Sequence, residues 1–186
     1  MHRSSLIAGV DEAGRGPLAG PVFAAAVILD STRPIAGLKD SKQLTEKKRE
    51  VLFEAIVSQS LAWSCSSATV EEIEQYNILQ ASLLAMQRAV MSLNIKPTRV
   101  LIDGNQAPSL PYEHQTIIRG DCLEPAISAA SIIAKVLRDR LMRELDAAYP
   151  HYGFAKHKGY GTALHLQRLK QFGPSKVHRK TFCSKY

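Results

Sequence analysis

Apolar residues are distributed along the chain in two different ways, and the first way indicates β-strands. Residues 6–10 and 22–29 are short apolar runs bounded by glycine and proline. Such runs are typical of buried strands, although periodicity alone does not separate them from buried helix. Similar runs predict further strands at 61–66, 99–102 and 115–118.

The second pattern is helical. Between residues 45 and 57, apolar positions recur at helical spacing among charged residues, namely at Val51, Leu52, Ala55 and Ile56. They predict an amphipathic helix with a charged outer face. Thr69 and Glu72, three residues apart, form a capping-box signature, and residues 78–93 predict a helix that is covered on most sides.

The longest helical pattern covers residues 124–145. Its predicted buried stripe consists of Ile127, Ala130, Ala134, Leu137 and Leu141. A last short helix is predicted at 162–171, because Gly173 and Pro174 would end it. Strands followed by alternating helices and strands predict one compact α/β domain over residues 1–186, with a mixed central sheet flanked by helices on both faces.

Charge is distributed unevenly along the chain. The net charge is +7, yet no acidic residue follows Asp146, whereas eight of the twenty-four lysines and arginines do. The first 146 residues therefore carry −1, and the segment from about 147 onwards carries +8. This segment favours a polyanionic partner, with a solvated, solubilising tail as the simpler alternative. Its aromatic residues argue against simple disorder, and they are Tyr149, Tyr152, Phe154, Tyr160, Phe172, Phe182 and Tyr186.

Cysteine usage and hydropathy exclude several classes of protein. Cys65, Cys122 and Cys183 form no Cys-x-x-Cys pair, which argues against a disulfide framework and a structural zinc site. The stretch that most resembles a membrane segment, 22–29, is far shorter than the ~20 apolar residues of a spanning helix. We therefore expect a cytoplasmic protein that does not bind membranes.

Four acidic residues, Asp11, Glu12, Asp103 and Asp121, lie at or near the ends of predicted strands. Each has a simpler explanation as a turn or capping residue. In a regular strand, Asp11 and Glu12 would also point to opposite faces, and they could serve one site only if the chain turned there, as the glycines that follow permit.

The joint placement of the four carboxylates favours a metal site. Strand ends at one edge of an α/β sheet lie together, and a divalent cation would compensate the converging charges. Oxygen ligands suit Mg²⁺ or Mn²⁺ better than zinc, and two such ions could support phosphodiester hydrolysis. The chain has neither a P-loop nor a Gly-x-Ser-x-Gly motif, which disfavours P-loop nucleotide hydrolases and hydrolases with that serine motif.

An ordered set of motifs extends over residues 9–182. The motifs are Asp11-Glu12-Ala13-Gly14-Arg15-Gly16, Asp40-Ser41-Lys42-Gln43-Leu44, Tyr76-Asn77-Ile78, Ile102-Asp103-Gly104, Gly120-Asp121, residues 129–136 with Arg138-Asp139, and His157-Lys158-Gly159-Tyr160. In this order they resemble the bacterial ribonuclease HII family. The resemblance implies a ribonuclease H-like fold and a metal site formed by Asp11, Glu12, Asp103 and Asp121.

The same resemblance implies a metal-dependent endonuclease. It would cut the RNA strand of RNA–DNA hybrids and incise duplex DNA on the 5′ side of embedded ribonucleotides, leaving 3′-hydroxyl and 5′-phosphate ends. A monomer suffices for this chemistry.

Substrate contacts are also implied by the resemblance. Backbone groups of Gly14, Arg15 and Gly16 would contact the ribose 2′-hydroxyl, which distinguishes RNA from DNA, and Tyr160 would pack beside the next sugar. The candidates for phosphate contacts are Lys42, Lys158 and Arg179. A solvated loop lysine is the alternative for Lys42, and a core aromatic is the alternative for Tyr160.

Two other functions stay open at this point. A DNA junction resolvase or exonuclease would keep the fold and the metal site, but the segment 14–16 argues against it. A nucleic-acid-binding domain without catalysis would use only the basic segment. Four carboxylates disfavour this second alternative, because they repel a phosphate backbone unless a metal intervenes.

Overall fold

A five-stranded mixed sheet forms the centre of the structure, a computed structural model that describes residues 6–184. Its strands are β1 (Ile7–Ala13), β2 (Val22–Ile28), β3 (Ala62–Ala68), β4 (Arg99–Asp103) and β5 (Glu113–Ile117). In the order β3-β2-β1-β4-β5, the first three strands are antiparallel, and β4 and β5 run parallel to β1. The predicted mixed sheet is confirmed, while the predicted domain limits and Tyr186 lie outside the described residues.

Helices cover both faces of the sheet, as predicted. They are α1 (Glu46–Gln59), α2 (Val70–Met91), α3 (Gly120–Leu123), α4 (Pro125–Ala148), α5 (Phe154–His157), α6 (Ala163–Phe172) and α7 (Lys180–Cys183), with a 3₁₀ turn at Ser41–Gln43. Helices α1 and α4 pack on one face, and α2 packs on the other. Within residues 6–184, no helix is long and apolar enough to cross a membrane.

Small residues on the strands allow these helices to approach closely. On β2, Ala24 and Ala26 face α2, whereas Ala25 faces α4. Gly9 on β1 has no room for a side chain, because a Cβ there would lie 2.1 Å from the carbonyl carbon of Ala126. The first turn of α4 therefore lies directly against β1, which places the preceding residues beside the end of that strand.

Helix α2 contains a kink that explains its divided sequence pattern. The predicted capping box of Thr69 and Glu72 is present. Asn77 then adopts a left-handed conformation (φ 66°), and its side-chain oxygen accepts hydrogen bonds from the amides of Leu79 and Gln80 at 2.9 and 3.1 Å. Asn77 thus acts as an internal cap, and the helical pattern begins again after it.

The buried surfaces of α1 and α4 differ from the predicted stripes. On α1, the predicted Ile56 is buried, but Val51 is 65% exposed, and Phe53, which was not predicted, enters the core. On α4, Leu137 and Leu141 are only partly buried, because the helix rotates Arg138 and Met142 inward against the C-terminal segment.

Asp139 on α4 is a structural partner of neighbouring cations. Its carboxylate lies 2.7 Å from Lys135 Nζ and 3.9 Å from a guanidinium nitrogen of Arg49. The closer cation is therefore a lysine on the same helix.

The basic C-terminal segment is folded where the structure describes it. Tyr152, Phe154 and Leu169 are buried with Leu18 and Met142 in a third apolar cluster. Bulky aromatic side chains in the segment thus supply the apolar area that a solvated tail lacks.

A pair of buried histidines connects this segment internally. His165 Nδ1 lies 2.9 Å from the Tyr160 carbonyl oxygen, which can only accept, so that Nδ1 carries a proton. The Ser175 amide donates to His178 Nδ1 at 2.9 Å, which leaves the proton of His178 on Nε2. The two Nε2 atoms are 3.0 Å apart, and one neutral ring therefore donates to the other. Protonation of either ring would set two N–H groups against each other.

Acid is expected to destabilise the protein through His178. Burial, and then the neighbouring His165, lowers the pKa of His178 to about 4 from its ordinary 6.5. The unfolded chain therefore gains a proton first, and this contribution is complete above pH 6.5 and lost as the pH falls towards 4. At 1.36 kcal/mol per pKa unit, the loss amounts to roughly 3 kcal/mol.

Urea unfolding of the native chain and of His178→Asn, at several pH values from about 7.5 to about 4.5, measures this effect. The difference in unfolding free energy between the two should shrink as the pH falls. His151→Asn is the control, because His151 is exposed. A difference that stays constant with pH would contradict the prediction.

Candidate active site

Three aspartates meet at one end of the sheet. Asp11 lies on β1, Asp103 ends β4 and Asp121 lies in α3. Each offers a carboxylate oxygen, and these three oxygens lie within 4.8 Å of one another. Val10 pairs with Ile102 in the parallel ladder, so the next residues along the two strands, Asp11 and Asp103, are neighbours. The amide of Asp121 donates to Asp103 Oδ1 at 3.3 Å, which ties α3 to the strand end.

Glu12 lies on the opposite face of β1. The strand stays regular through this point, with Asp11 opposite Ala25 and Glu12 opposite Ala24. Since Ala25 faces α4 and Ala24 faces α2, the two carboxylates point to different faces. The turn that would have joined them does not form, and the chain leaves the sheet only at Gly14 (φ 99°).

The Glu12 carboxylate nevertheless remains near the three aspartates. It lines a cleft with Asp103 and accepts from Arg15 at 3.5 Å. Burial raises the pKa of Glu12 although Arg15 opposes the shift, and the charge of Asp103 raises it further. Glu12 therefore flanks the cluster from the other side of the strand.

Burial and mutual repulsion make the cluster electrostatically costly. Asp11 is 4% exposed and Asp121 is 6% exposed. Burial, followed by the charges of Glu12 and Asp103, raises the pKa of Asp11 well above its ordinary value. Burial and then Asp103 raise the pKa of Asp121. Asp11 and Asp121 thus resist ionisation unless positive charge is supplied.

Lys42 lies beside this cluster. Its Nζ lies 3.8 Å from Asp121 Oδ2, yet the side chain is 80% exposed. Partial burial opposes the shift, but Asp40, Asp11, Asp121 and Asp103 together raise the pKa of Lys42. One solvated ammonium cannot neutralise three clustered carboxylates. The donor set, which is entirely oxygen, fits a hard divalent cation such as Mg²⁺ or Mn²⁺.

The loop that carries Lys42 is fixed on both sides. Asp40 accepts from the Lys42 amide at 2.9 Å and begins the 3₁₀ turn. Ser131 of α4 donates to the Ser41 hydroxyl at 2.7 Å, and Arg49 of α1 donates to the Ser41 carbonyl at 2.9 Å. The backbone position of Lys42 beside the cluster therefore follows from fixed contacts of its loop, while the ammonium itself stays exposed to solvent.

A second cleft adjoins the carboxylates. Its lining includes Glu12, Gly14, Gly16, Lys42, Lys135 and Tyr160. Gly14 cannot be replaced there, because a Cβ would lie 2.0 Å from Arg138 Nε and the φ of 99° is left-handed. Tyr160 is 43% exposed and approaches Gly16, whose Cβ position lies 3.7 Å from Tyr160 Cε1. Tyr160 is therefore a cleft residue and not a core aromatic.

The other two candidates for phosphate contacts, Lys158 and Arg179, are less accessible than Lys42. Lys158 is half-buried, and its ammonium donates to the Ala155 carbonyl. Arg179 is fully buried (0% exposed), and its guanidinium donates to main-chain carbonyls. The predicted phosphate contact of Arg179 is wrong, because a cation sealed behind the loop cannot reach a substrate.

Sequence reasoning gave no role to Arg138, which is also fully buried. The available signal was its position, since it follows Ala134 by four residues and continues the buried stripe of α4. Asp40 was quoted only as part of a motif, although its charge acts on Lys42 and on Asp121.

The sheet order, with an antiparallel β1–β3 meander followed by parallel β4 and β5, and the acidic cluster at the strand ends define an α/β metal-dependent hydrolase of the ribonuclease H-like fold. Residues 8–185 match the family model described as Ribonuclease HII. The chain belongs to the ribonuclease HII family, whose members are metal-dependent endoribonucleases.

Relatives of known name agree with this assignment. The chain is 61% identical to the ribonuclease HII of Bordetella avium (strain 197N) over 176 residues, which cover 95% of this chain and 87% of that protein. It is 59% identical to the ribonuclease HII of Paracidovorax citrulli (strain AAC00-1) over 181 residues, which cover 97% and 75%. The crystal structure of ribonuclease H2 from Pyrococcus horikoshii OT3 superposes with a TM-score of 0.81 at 29% identity, covering 96% of this chain and 95% of that one.

Removing one charge from the acidic cluster should weaken metal binding and stabilise the metal-free protein. Asp11→Asn is expected to raise the melting temperature of the metal-free protein by about 2–4 °C, because it relieves on the order of 1 kcal/mol of repulsion. The variant should also lose most of the additional rise that Mn²⁺ or Mg²⁺ gives the native chain.

Thermal melts with a chelator, Mg²⁺ or Mn²⁺ check both effects. Glu144→Gln on α4 is the control, since Glu144 is exposed and its variant should respond to metal as the native chain does. An undiminished metal response of Asp11→Asn would remove Asp11 from the metal site.

Proposed function

We propose that this protein hydrolyses the RNA strand of RNA–DNA hybrids and incises duplex DNA on the 5′ side of embedded ribonucleotides, leaving 3′-hydroxyl and 5′-phosphate ends. The observation that carries the proposal is that the cleft of the expected ribose contacts adjoins the acidic cluster. The residues expected to contact ribose, Gly14, Gly16 and Tyr160, line one cleft together with Lys42, and Lys42 lies 3.8 Å from Asp121 of the acidic cluster.

Asp11, Asp103 and Asp121 would hold the divalent cations, with Glu12 contributing from the far side of β1. When bound, the cations lower the pKa of a water molecule and stabilise charge on the leaving oxygen. The protein holds the carboxylates in a fixed, mostly buried arrangement through β1, β4 and the Asp121–Asp103 hydrogen bond. Such preorganisation avoids a cost of rearrangement during the reaction.

Lys42 would bind the phosphate backbone next to the cluster. Its ammonium is exposed, and the loop that carries it is anchored by Ser131 and Arg49. Because the loop is already ordered, binding a phosphate would restrict little beyond the Lys42 side chain itself. Lys158, two residues before Tyr160, is a second candidate. Its ammonium would have to give up the hydrogen bond to the Ala155 carbonyl in order to bind a phosphate oxygen.

Recognition of ribose would come from the backbone of residues 14–16 and the ring of Tyr160. Only RNA presents a 2′-hydroxyl that can accept from and donate to main-chain groups. The exposed face of Tyr160 would pack on the adjacent sugar, which requires no base identity and therefore no sequence preference.

We also propose that the chain acts as a monomer in the cytoplasm, in DNA repair or primer removal. Three free cysteines, of which Cys122 is exposed, are compatible with a reducing compartment. The packing of Phe154 and Tyr152 on Leu18 supports a single domain that includes the basic segment from about residue 147.

The direct test is cleavage of a labelled DNA duplex that contains one ribonucleotide, beside an all-DNA duplex, with Mg²⁺, Mn²⁺ or a chelator. A metal-dependent single cut immediately 5′ of the ribonucleotide, absent from the all-DNA duplex, is expected. Cutting of the all-DNA duplex would favour a resolvase or exonuclease. Tight binding without any cut would favour a binding domain without catalysis.

Asp103→Asn should separate catalysis from binding. Loss of one charged ligand is expected to lower the cleavage rate by roughly a thousandfold, because several kcal/mol of metal-supplied stabilisation are lost. Binding of the ribonucleotide-containing duplex should persist or strengthen, since one repulsive charge is gone. Single-turnover cleavage and fluorescence anisotropy measure the two quantities. Full activity of Asp103→Asn would exclude the proposed metal site.

A further inference from the structure

Two arginines are buried behind the ribose cleft without acidic partners. Arg138 on α4 and Arg179 just before α7 are both 0% exposed. Within residues 6–184, no carboxylate oxygen lies within 4.0 Å of either guanidinium. Burial, followed by the like charge of Arg138, lowers the pKa of Arg179 to about 9, which leaves it charged at neutral pH. A buried charge of this kind is costly unless other groups compensate it.

Main-chain carbonyls supply the compensation. Arg179 donates to Gly14 O at 2.6 Å, to Arg15 O at 2.8 Å and to Gly20 O at 2.7 and 2.9 Å. Arg138 donates to two carbonyls of the segment that precedes β2, Ala19 O at 3.2 Å and Pro21 O at 3.1 Å. It also donates to Lys158 O at 3.1 Å, two residues before Tyr160. The two side chains therefore connect the segments 14–21 and 158–160.

These contacts fix the direction of the amides in the Gly14 loop. In a trans peptide, the carbonyl of one residue and the N–H of the next point in opposite directions, and the described chain has no cis peptide. The carbonyls of Gly14 and Arg15 point to Arg179, so the amides of Arg15 and Gly16 point away from it. Neither amide donates to another described residue, and both residues line the cleft.

Arg138 fixes the opposite wall. Its guanidinium carbon lies 5.9 Å from the centre of the Tyr160 ring and its Nε occupies the space beside Gly14. A single side chain thus sets the separation between the glycine loop and the tyrosine. The planar, forked donor group of arginine can hold several carbonyls at fixed angles, which the single ammonium of lysine cannot do.

We propose that Arg138 and Arg179 are positioning residues for ribonucleotide recognition. They hold the amides of Arg15 and Gly16 as a preformed pair of donors for the 2′-hydroxyl oxygen and set Tyr160 at the distance of one sugar. Because carbonyls and not carboxylates accept from these guanidinium groups, their charge polarises the intervening peptides and strengthens both amide donors. This inference rests on the proposed function, because it concerns the same cleft.

The test compares discrimination between ribose and deoxyribose in Arg179→Lys and in the native chain. Both carry Asp103→Asn, so that binding of a single-ribonucleotide duplex and of the matching all-DNA duplex is measured without cleavage. The ratio of the two dissociation constants is expected to fall roughly tenfold in Arg179→Lys, as when one or two oriented hydrogen bonds are lost. Affinity for the all-DNA duplex should change little.

Arg88→Lys is the matched control. Arg88 forms a bidentate ion pair with Glu72 and donates to the Ser67 carbonyl, and none of these three residues lines the ribose cleft. Its replacement should lower the melting temperature without changing the ratio. Should Arg179→Lys be unfolded at the assay temperature, Arg138→Lys and Phe182→Leu carry the test, the latter because Phe182 packs 5.2 Å from the Arg179 guanidinium.

The outcomes are distinct. An unchanged ratio in a folded Arg179→Lys or Arg138→Lys, or an equal loss in Arg88→Lys, would overturn the positioning role. If the native chain, without Asp103→Asn, fails to cut the single-ribonucleotide duplex, the proposed function itself is overturned. Cleavage by the native chain together with an unchanged ratio would leave the function standing and reject the inference.

Discussion

The close approach of α4 to β1 is the constraint on which the rest of the site depends. It exists because Gly9 has no side chain, so that backbone meets backbone at a distance that any Cβ would prevent. The approach sets α3 and Asp121 over the ends of β1 and β4, where Asp11 and Asp103 already lie side by side. The same helix then carries Ser131 to the Lys42 loop and Arg138 to the glycine loop. One packing contact thus determines the geometry of two clefts.

The two clefts are held by different kinds of interaction. The carboxylates stand on strands and on a helix that packs against them, and their repulsion is opposed by the rigidity of the sheet. The ribose cleft is made of loops, which have no ladder of their own, and buried guanidinium groups replace that ladder by binding carbonyls. The clustered carboxylates stay close together because the hydrogen-bonded sheet holds their backbone in place. The loops of the ribose cleft have no such hydrogen bonds, and the two arginines hold them instead.

Much of this arrangement could be predicted from local patterns. Apolar runs and helical spacing predicted the strands and most helices, because burial of one side of an element is written in its period. Placement at strand ends, and then the order of motifs, led to four carboxylates, of which the structure groups Asp11, Asp103 and Asp121. Burial of long polar side chains could not be predicted in this way. An arginine in a basic segment is an ordinary candidate for a phosphate contact, and only the tertiary structure shows that Arg179 is buried and binds carbonyls. Whether Glu12 and Asp11 point to the same face likewise depended on whether β1 stayed regular past Val10. The alternation of side chains along a strand predicts opposite faces only if the strand is regular, and the sequence did not show that it is.

The space beside Gly14 has a consequence for how this sequence can change over time. The absent Cβ of Gly14 and the guanidinium of Arg138 occupy one volume, with 2.0 Å between the Cβ position and Nε. An alanine at 14 is opposed both by the guanidinium of Arg138 and by the left-handed φ of 99°. A shorter residue at 138 would relieve only the first of these, and it would abandon three carbonyls that no other described side chain serves. Neither position is free to change alone, and the part of the cost that comes from the shared volume should be non-additive between the two substitutions. A sequence that keeps this loop conformation is therefore expected to keep glycine at 14 together with arginine at 138.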